Sequence, residues 1–165
     1  MSARPQPQAL PQPPRLRRMR AADLNRVLAI EGQAYSFPWT RGNFIDSLAA
    51  GYLAEVLVDD ADELLGYFVA MTGVDELHLL NLTVAPDWQR QGHACTLLDV
   101  LEQRCHEQRL PALWLEVRAS NERARHVYRR RGFAEVGLRK NYYPAGHGLR
   151  EDAVVMSLAA GGGVS

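Results

Sequence analysis

The hydrophobic and polar residues follow two different spacings along the chain, and each spacing predicts a different kind of element. Short apolar or alternating runs, rich in β-branched and aromatic residues, predict strands. These runs are 15–20, 52–58, 64–72, 76–84, 112–119, 134–142 and 152–159. A wider, helical spacing predicts helices at about 23–35, after Thr40, at 92–109 and at 121–131. Interleaved strands and helices predict an α/β fold in which helices cover the faces of a mixed sheet.

The two ends of the chain show neither spacing. Residues 1–14 hold five prolines among glutamine and alanine, a composition that does not pack a core, so we predict a flexible arm there. Residues 160–165 are predicted to form a flexible tail, and residues 15–159 a single domain. With 165 residues, 47% of them hydrophobic, the chain is long enough for one sizeable core but short for two.

Charge and composition narrow the possible partners. Lys and Arg total 19 and Asp and Glu total 19, so no global field favours direct binding to nucleic acid or to a membrane surface. No apolar run approaches the length of a transmembrane helix, and the N-terminal segment lacks the apolar stretch of a secretory signal, so we expect a cytoplasmic protein. The histidines and the two cysteines lack the spacing of zinc ligands, and no metal is expected.

A turn with a glycine at its mouth joins the strand 76–84 to the helix that begins near Gly92. It consists of Gln89-Arg90-Gln91-Gly92-His93-Ala94. Such a turn leaves helical N–H groups unpaired at the positive end of the helix dipole, which suits a pyrophosphate. Gly92 would let a phosphate come close to bare backbone. The turn matches neither the dinucleotide fingerprint nor the P-loop pattern.

Three motifs of this chain resemble those of the GNAT family of acetyltransferases. They are Gln89-Arg90-Gln91-Gly92-His93-Ala94, Leu115-Glu116-Val117-Arg118-Ala119-Ser120-Asn121 and Tyr128-Arg129-Arg130-Arg131-Gly132-Phe133. The resemblance runs from about Arg17 to Leu158 and implies the GNAT fold, with a mostly antiparallel sheet flanked by helices on both faces. It also implies acetyl-CoA as the donor and direct attack of an amine in a ternary complex. Within the family, Trp114 to Asn121 and Asn141-Tyr142-Tyr143-Pro144 are similar to enzymes that acetylate the N-terminal alanine of a ribosomal protein.

The resemblance places a set of donor-binding residues on the glycine turn, on the strand before it and at the start of the next helix. They are Leu82, Thr83, Val84, Arg90, Gln91, Gly92, His93, Ala94, Cys95 and Asn121. The strand backbone would pair with the pantetheine amides and polarise the acetyl carbonyl. Three positions depart from the usual pattern: His93 replaces an apolar residue, Ala94 a second glycine, and Cys95 a residue that is commonly basic.

Glu116 is the candidate general base. It lies inside a predicted strand, on the face opposite Leu115 and Val117, and a half-buried carboxylate there costs free energy unless it is satisfied or used. It would remove a proton from the attacking ammonium directly or through water. The alternative is a surface glutamate or an ion pair with Arg118.

Tyr128 is the candidate general acid. It follows Asn121, the predicted helix cap, by seven residues and so projects from about the same helix face. A phenol with a reference pKa near 10 is a suitable proton donor to a departing thiolate, whose own pKa is about 8.5. The alternative is an ordinary core tyrosine of an amphipathic helix.

Two aromatic loops suggest the acceptor site, and four of their residues are the candidates: Phe37, Trp39, Tyr142 and Tyr143. Aromatic walls would admit a peptide N-terminus with a small first residue, whereas the alternative role is hydrophobic anchoring of the loops. The resemblance thus predicts acetylation of the N-terminal alanine of a small-subunit ribosomal protein. A broader lysine or small-amine acetyltransferase and a non-catalytic acyl-CoA sensor are the alternatives.

Overall fold

The computed structural model describes residues 12–160, so residues 1–11 of the predicted arm and 161–165 of the predicted tail lie outside the described part. The strands are β1 (Arg15–Arg18), β2 (Leu53–Val58), β3 (Leu64–Thr72), β4 (Glu76–Val84), β5 (Ala112–Arg118), β6 (Ala134–Pro144) and β7 (Arg150–Ala159). The α-helices are α1 (Leu24–Ala34), α2 (Arg41–Ala49), α3 (His93–Glu107) and α4 (Glu122–Arg131). Short 3₁₀ turns, Ala21–Asp23 and Pro86–Trp88, precede α1 and α3.

The strands form one seven-stranded sheet in the order β1-β2-β3-β4-β5-β7-β6. Every neighbouring pair is antiparallel except β4 and β5, which are parallel. The α/β fold class and the mixed, mostly antiparallel sheet that the sequence predicts are confirmed.

Strands β4 and β5 pair over only part of their length. Glu76–Leu79 pairs with Ala112–Leu115, and beyond this point the two strands separate although both continue. A register shift in β4 accompanies the separation, because Asn81 lies opposite Val69 whereas Leu79 lies opposite Ala70. Leu80 is therefore the extra residue of a β-bulge, which bends a strand and re-aims its side chains. A cleft opens between the separated strands.

Two apolar layers cover the two faces of the sheet. One contains Leu97, Leu98 and Leu101 of α3, and the other Val27 of α1 and Phe44 of α2. Alternating residues of β2 and β3 divide between the two layers, as expected for strands that are covered on both faces. The helices thus hold the central strands between them.

Local signals set the helix ends. The Thr40 hydroxyl accepts a hydrogen bond from the Asn43 N–H at the start of α2, and Asn121 Oδ1 accepts one from the Ala124 N–H at the start of α4. Gly132, with φ of 108°, ends α4. These caps are at the positions that the sequence predicts.

Gly66 of β3 is required by a close backbone approach. A Cβ at this position would lie 2.7 Å from the carbonyl oxygen of Thr83 in β4, a distance that no side chain tolerates. The glycine therefore lets β3 pack tightly behind the part of β4 that borders the cleft.

Candidate active site

The cleft between the separated strands has a volume of about 460 Å³ and is bounded by β4, α3 and α4. Every predicted donor-binding residue except Gln91 lines it, and so does Tyr128. Three further lining residues with polar side chains were not among the predicted site residues: Tyr35, Gln89 and Arg123. Chain segments that are far apart in sequence therefore meet in one site.

The glycine turn presents an open helix start to the cleft. Gly92 has φ of 85° and precedes α3 without any side-chain cap, and Arg90 also has a positive φ of 63°. A Cβ built on Gly92 would meet nothing within 4 Å. Unpaired N–H groups, the helix dipole and open space together suit a phosphate group.

His93, the first residue of α3, adds an unsatisfied polar atom at the same place. The residue is buried, and its Nε2 has no hydrogen-bond partner among residues 12–160. Burial lowers the pKa of the imidazole, which keeps the ring neutral at neutral pH. Because buried polar atoms are nearly always paired, this orphan fits a site that is completed by a bound ligand such as acetyl-CoA.

The edge of β4 turns backbone groups into the cleft. Ala85 donates its N–H to the Leu65 carbonyl of β3 at 2.8 Å, so Ala85 faces β3. Alternate residues of a strand turn their N–H and C=O groups to opposite sides, and Leu82 and Val84 therefore turn theirs away from β3. The Leu82 carbonyl accordingly accepts a hydrogen bond from the Tyr35 hydroxyl at 3.0 Å. The free N–H groups on this edge suit the amides of a pantetheine arm.

Tyr128 lies on the wall of the cleft. Its ring packs edge to face against Phe133, with centroids 5.5 Å apart. Burial raises the pKa of the phenol, so the hydroxyl stays protonated across the neutral range. The side chain is thus available as a proton donor.

Glu116, which is not among the residues that line the cleft, is the centre of a separate charged cluster. Its side chain is only 7% exposed, and Oε2 lies 2.6 Å from Nε of Arg139. Oε1 lies 2.9 Å from Nε2 of His78. The ion-pair partner considered from the sequence, Arg118, is wrong, because Arg118 pairs with Glu151 at 2.9 Å. Neither His78 nor Arg139 was found from the sequence, since both reach Glu116 from other strands.

His78 is held between its neighbours. Its ring stacks on Trp114, with centroids 3.6 Å apart and planes 9° from parallel. Burial lowers the pKa of the imidazole and Arg139 lowers it further, against an opposing effect of Glu116. The parallel register of β4 and β5 places His78 opposite Trp114 and so brings it next to Glu116.

The aromatic loops meet on either side of Arg118. Its guanidinium lies 5.1 Å from the Phe37 ring centroid and 4.6 Å from that of Tyr143. Tyr142 packs edge to face against Tyr143 at 4.9 Å, and the Arg139 guanidinium lies 5.5 Å from the Tyr142 ring. Phe37 and Tyr142 are 44% and 41% exposed, which leaves aromatic surface for an acceptor.

Trp39 is placed differently from the other three acceptor candidates. Its ring packs against Phe44 of the core at 5.1 Å, and its backbone N–H donates to Glu31 Oε2 at 3.0 Å. These contacts correspond to the loop-anchoring alternative.

A buried hydrogen-bond network around the Glu31 carboxylate contacts β4 at its β-bulge. Glu31 of α1 is 1% exposed and accepts hydrogen bonds from the Tyr67 hydroxyl at 2.6 Å and from Asn81 Nδ2 at 3.1 Å. Within residues 12–160, no Lys or Arg forms an ion pair with it. No local sequence pattern indicates this role for Glu31, which lies within helix α1.

The network extends from Glu31 to the cleft. The Thr83 hydroxyl donates to Asn81 Oδ1 at 2.7 Å and lies 2.8 Å from the Tyr35 hydroxyl, which in turn donates to the Leu82 carbonyl. Burial raises the pKa of Tyr35 to about 12. A continuous set of hydrogen bonds therefore joins the core to the strand edge that borders the cleft.

The described residues lack two kinds of structural feature. In that part of the chain, no helix combines the length and apolarity needed to cross a membrane. The same residues hold no cluster of three or more His, Cys, Asp or Glu side chains arranged to bind a metal ion.

Comparison with known proteins defines the class of protein to which this chain belongs. The sequence model of the acetyltransferase (GNAT) family matches residues 24–133. This chain belongs to the GNAT family and is an N-acetyltransferase. Proteins of this family use acetyl-CoA as the acetyl donor.

Two relatives and one solved structure align with most of this chain. The ribosomal protein bS18-alanine N-acetyltransferase of Haemophilus ducreyi is 39% identical over 136 residues, which cover 82% of this chain and 93% of the relative. The enzyme of the same name from Escherichia coli K12 is 37% identical over 140 residues, with coverage of 85% and 93%. The crystal structure of the ribosomal-protein-S18-alanine N-acetyltransferase from Escherichia coli matches with a TM-score of 0.81 and 35% identity, covering 89% of this chain and 94% of that one.

Proposed function

We propose that this protein transfers the acetyl group of acetyl-CoA to the α-amine of an N-terminal alanine, and that the acceptor is the small-subunit ribosomal protein bS18. The observation that carries the proposal is the 37–39% identity, over more than four fifths of both chains, to enzymes named for this reaction. A ribosomal protein would be met in the cytoplasm.

The donor would lie in the cleft along the edge of β4. The start of α3, with Gly92, Arg90 and the Nε2 of His93, would hold the pyrophosphate, while the N–H groups of Leu82 and Val84 would pair with the pantetheine. Cys95 and Asn121 line the same cleft.

The transfer itself needs a base, a polarised carbonyl and an acid. Glu116, acting directly or through water, would remove one proton from the acceptor ammonium, and the amine lone pair would then attack the thioester carbon. A C–N bond forms as the C–S bond breaks, Tyr128 would give its proton to the departing sulfur, and the nitrogen would lose a second proton to solvent as the amide forms. The Phe37, Tyr142 and Tyr143 rings would surround the first residues of the acceptor.

Intact-mass spectrometry of acetyl transfer tests the proposed acceptor. The peptides start with Ala, Ser or Met, and a further peptide carries lysine behind a blocked N-terminus, with the bS18 N-terminus as the reference. We expect transfer to the bS18 and other alanine-started peptides. Transfer to the blocked lysine peptide would instead favour a broader acetyltransferase. Binding of acetyl-CoA without transfer to any peptide would favour a sensor.

Gly92→Ala tests the donor site. Gly92 and Gly51 both have positive φ, 85° and 77°, and a Cβ on either meets nothing within 4 Å. Alanine at either position therefore costs about 1 kcal/mol of stability through backbone strain alone. Only Gly92→Ala places a methyl group against the bound phosphate. We therefore expect calorimetry to show roughly tenfold weaker CoA binding for Gly92→Ala and unchanged CoA binding for Gly51→Ala. Equal CoA affinity in both variants would contradict the assignment.

A further inference from the structure

Both carboxylate oxygens of the candidate base are already in use. Arg139 donates to Oε2 at 2.6 Å and His78 contacts Oε1 at 2.9 Å. Glu116 is therefore placed to hold the His78 ring in a fixed orientation.

The imidazole of His78 is a second group in this cluster that can take up a proton. Among side chains, an unperturbed imidazole titrates nearest to neutral pH, the range in which a general base works best. Burial lowers the pKa of His78 below the ordinary value, so the ring is neutral and able to accept a proton at neutral pH.

The hydrogen bond to Glu116 fixes the tautomer of His78. An ionised carboxylate only accepts hydrogen bonds, so Nε2 must carry the proton that it shares with Glu116 Oε1. In the neutral ring, Nδ1 then has a free lone pair, and it has no hydrogen-bond partner within residues 12–160. Stacking on Trp114 fixes the plane of the ring. The arrangement is that of a carboxylate that orients a histidine base.

The position of His78 in the sheet is also suitable. His78 is the second last residue of β4 that pairs with β5, and the part of β4 that lines the cleft begins four residues further on, at Leu82. The side chain is 13% exposed, so it is partly accessible from outside the core. The charged groups around the ring are Glu76 on its own strand, Glu116 on β5 and Arg139 on β6.

We propose that His78 is the group that takes the proton from the acceptor ammonium and that Glu116 orients it. The inference rests on the proposed function and changes one step, since the imidazole of His78, and not Glu116 or a water, takes the proton from the ammonium. Nδ1 accepts the proton, the amine attacks the thioester carbon, and the C–S bond breaks as the C–N bond forms. Tyr128 protonates the sulfur, and the nitrogen loses its second proton to solvent as the amide forms. The imidazolium then loses its proton to solvent, and Tyr128 regains one from solvent.

His78→Gln is the variant that separates the two roles. A glutamine side chain has an N–H that can still donate to Glu116, but it has no titratable nitrogen. We expect kcat at saturating peptide to fall by about 10²-fold or more, with CoA affinity within twofold of the parent. In the parent, kcat falls as the pH decreases through the pKa of the imidazole, which burial holds below the ordinary value; the variant should lack this limb.

The outcomes are distinct. If His78→Gln keeps kcat within threefold of the parent and keeps the acidic limb, His78 is only a hydrogen-bond partner of Glu116 and the proposal is overturned. The ratio of variant to parent rate decides the role of His78 on whichever acceptor the parent uses. The rate of the parent on alanine-started peptides tests the proposed acceptor. A failure of the His78 proposal can therefore be told apart from a failure of the proposed function.

Discussion

Replacing Tyr128 with phenylalanine is expected to lower kcat by about 10²- to 10⁴-fold while leaving the fold and the donor affinity intact. The change removes only the hydroxyl, and the ring keeps its edge-to-face packing on Phe133. No side chain or backbone group of residues 12–160 is hydrogen bonded to that hydroxyl, so its loss breaks no contact within the protein. A fall in kcat would therefore report the lost proton donor.

The measurement is steady-state kinetics with an alanine-started peptide, together with CoA calorimetry and thermal unfolding. Tyr35→Phe is the matched control, because Tyr35 lines the same cleft but donates its hydroxyl to the Leu82 carbonyl. We expect it to lose about 1 kcal/mol of stability and to lose less kcat than Tyr128→Phe. A Tyr128→Phe variant that acetylates at the parent rate would refute the assignment of the acid.

The pH dependence of the parent gives a second check on Tyr128. Burial raises the pKa of its hydroxyl, so the protonated, donating form persists to higher pH than in an ordinary tyrosine. No loss of kcat that is due to this residue is expected below about pH 10, the ordinary range of the phenol. A fall of kcat at lower pH that disappears in Tyr128→Phe would contradict the raised pKa.

The cleft around the proposed donor-binding residues could be predicted from the sequence because the signals for it are local. Gly92, the residues that flank it and the strand before it are neighbours along the chain, and a strand, turn and helix of this kind have one arrangement. Asn121 caps its own helix, so its position follows from the next few residues. The residues that local sequence signals group together therefore line one cleft, with the exception of Gln91.

The surroundings of Glu116 could not be predicted, because they depend on strand register. His78 meets Glu116 through the parallel pairing of β4 with β5, and Arg139 reaches it from β6, across β7. A shift of one residue in either pairing would turn these side chains to the other face. The sequence shows a carboxylate in a strand, whereas only the assembled sheet shows what it contacts.

The bulge of β4 is a further feature that no local pattern indicates. An extra residue at Leu80 reverses the facing of the strand, so that Leu82 and Val84 pack toward α3 while Asn81 and Thr83 turn toward α1. A simple alternation over 76–84 predicts one strand but misses this reversal. The reversal is what brings polar side chains to Glu31.

Replacing Glu31 with leucine is expected to lower the free energy of unfolding by about 3 kcal/mol or more. The carboxylate accepts hydrogen bonds from the Tyr67 hydroxyl, the Asn81 amide and the Trp39 N–H, and leucine, which is similar in size, accepts none. Each donor left buried without a partner costs about 1–3 kcal/mol. Urea unfolding followed by fluorescence and circular dichroism measures the change.

The matched control is Glu63→Leu, the same substitution at an exposed glutamate whose side chain has no hydrogen-bond partner in the described part of the chain. It should change stability by less than about 0.5 kcal/mol. Tyr67→Phe removes one donor and should lower the free energy of unfolding by less than Glu31→Leu does. In the double variant, the Tyr67 hydroxyl that Glu31→Leu alone leaves without an acceptor is absent, so the two losses of stability should not add. Because Asn81 and Thr83 connect Glu31 to the strand edge, Glu31→Leu should also weaken CoA binding. Full CoA affinity in a destabilised Glu31→Leu variant would show that the network stabilises the core but is not needed to position the edge of β4.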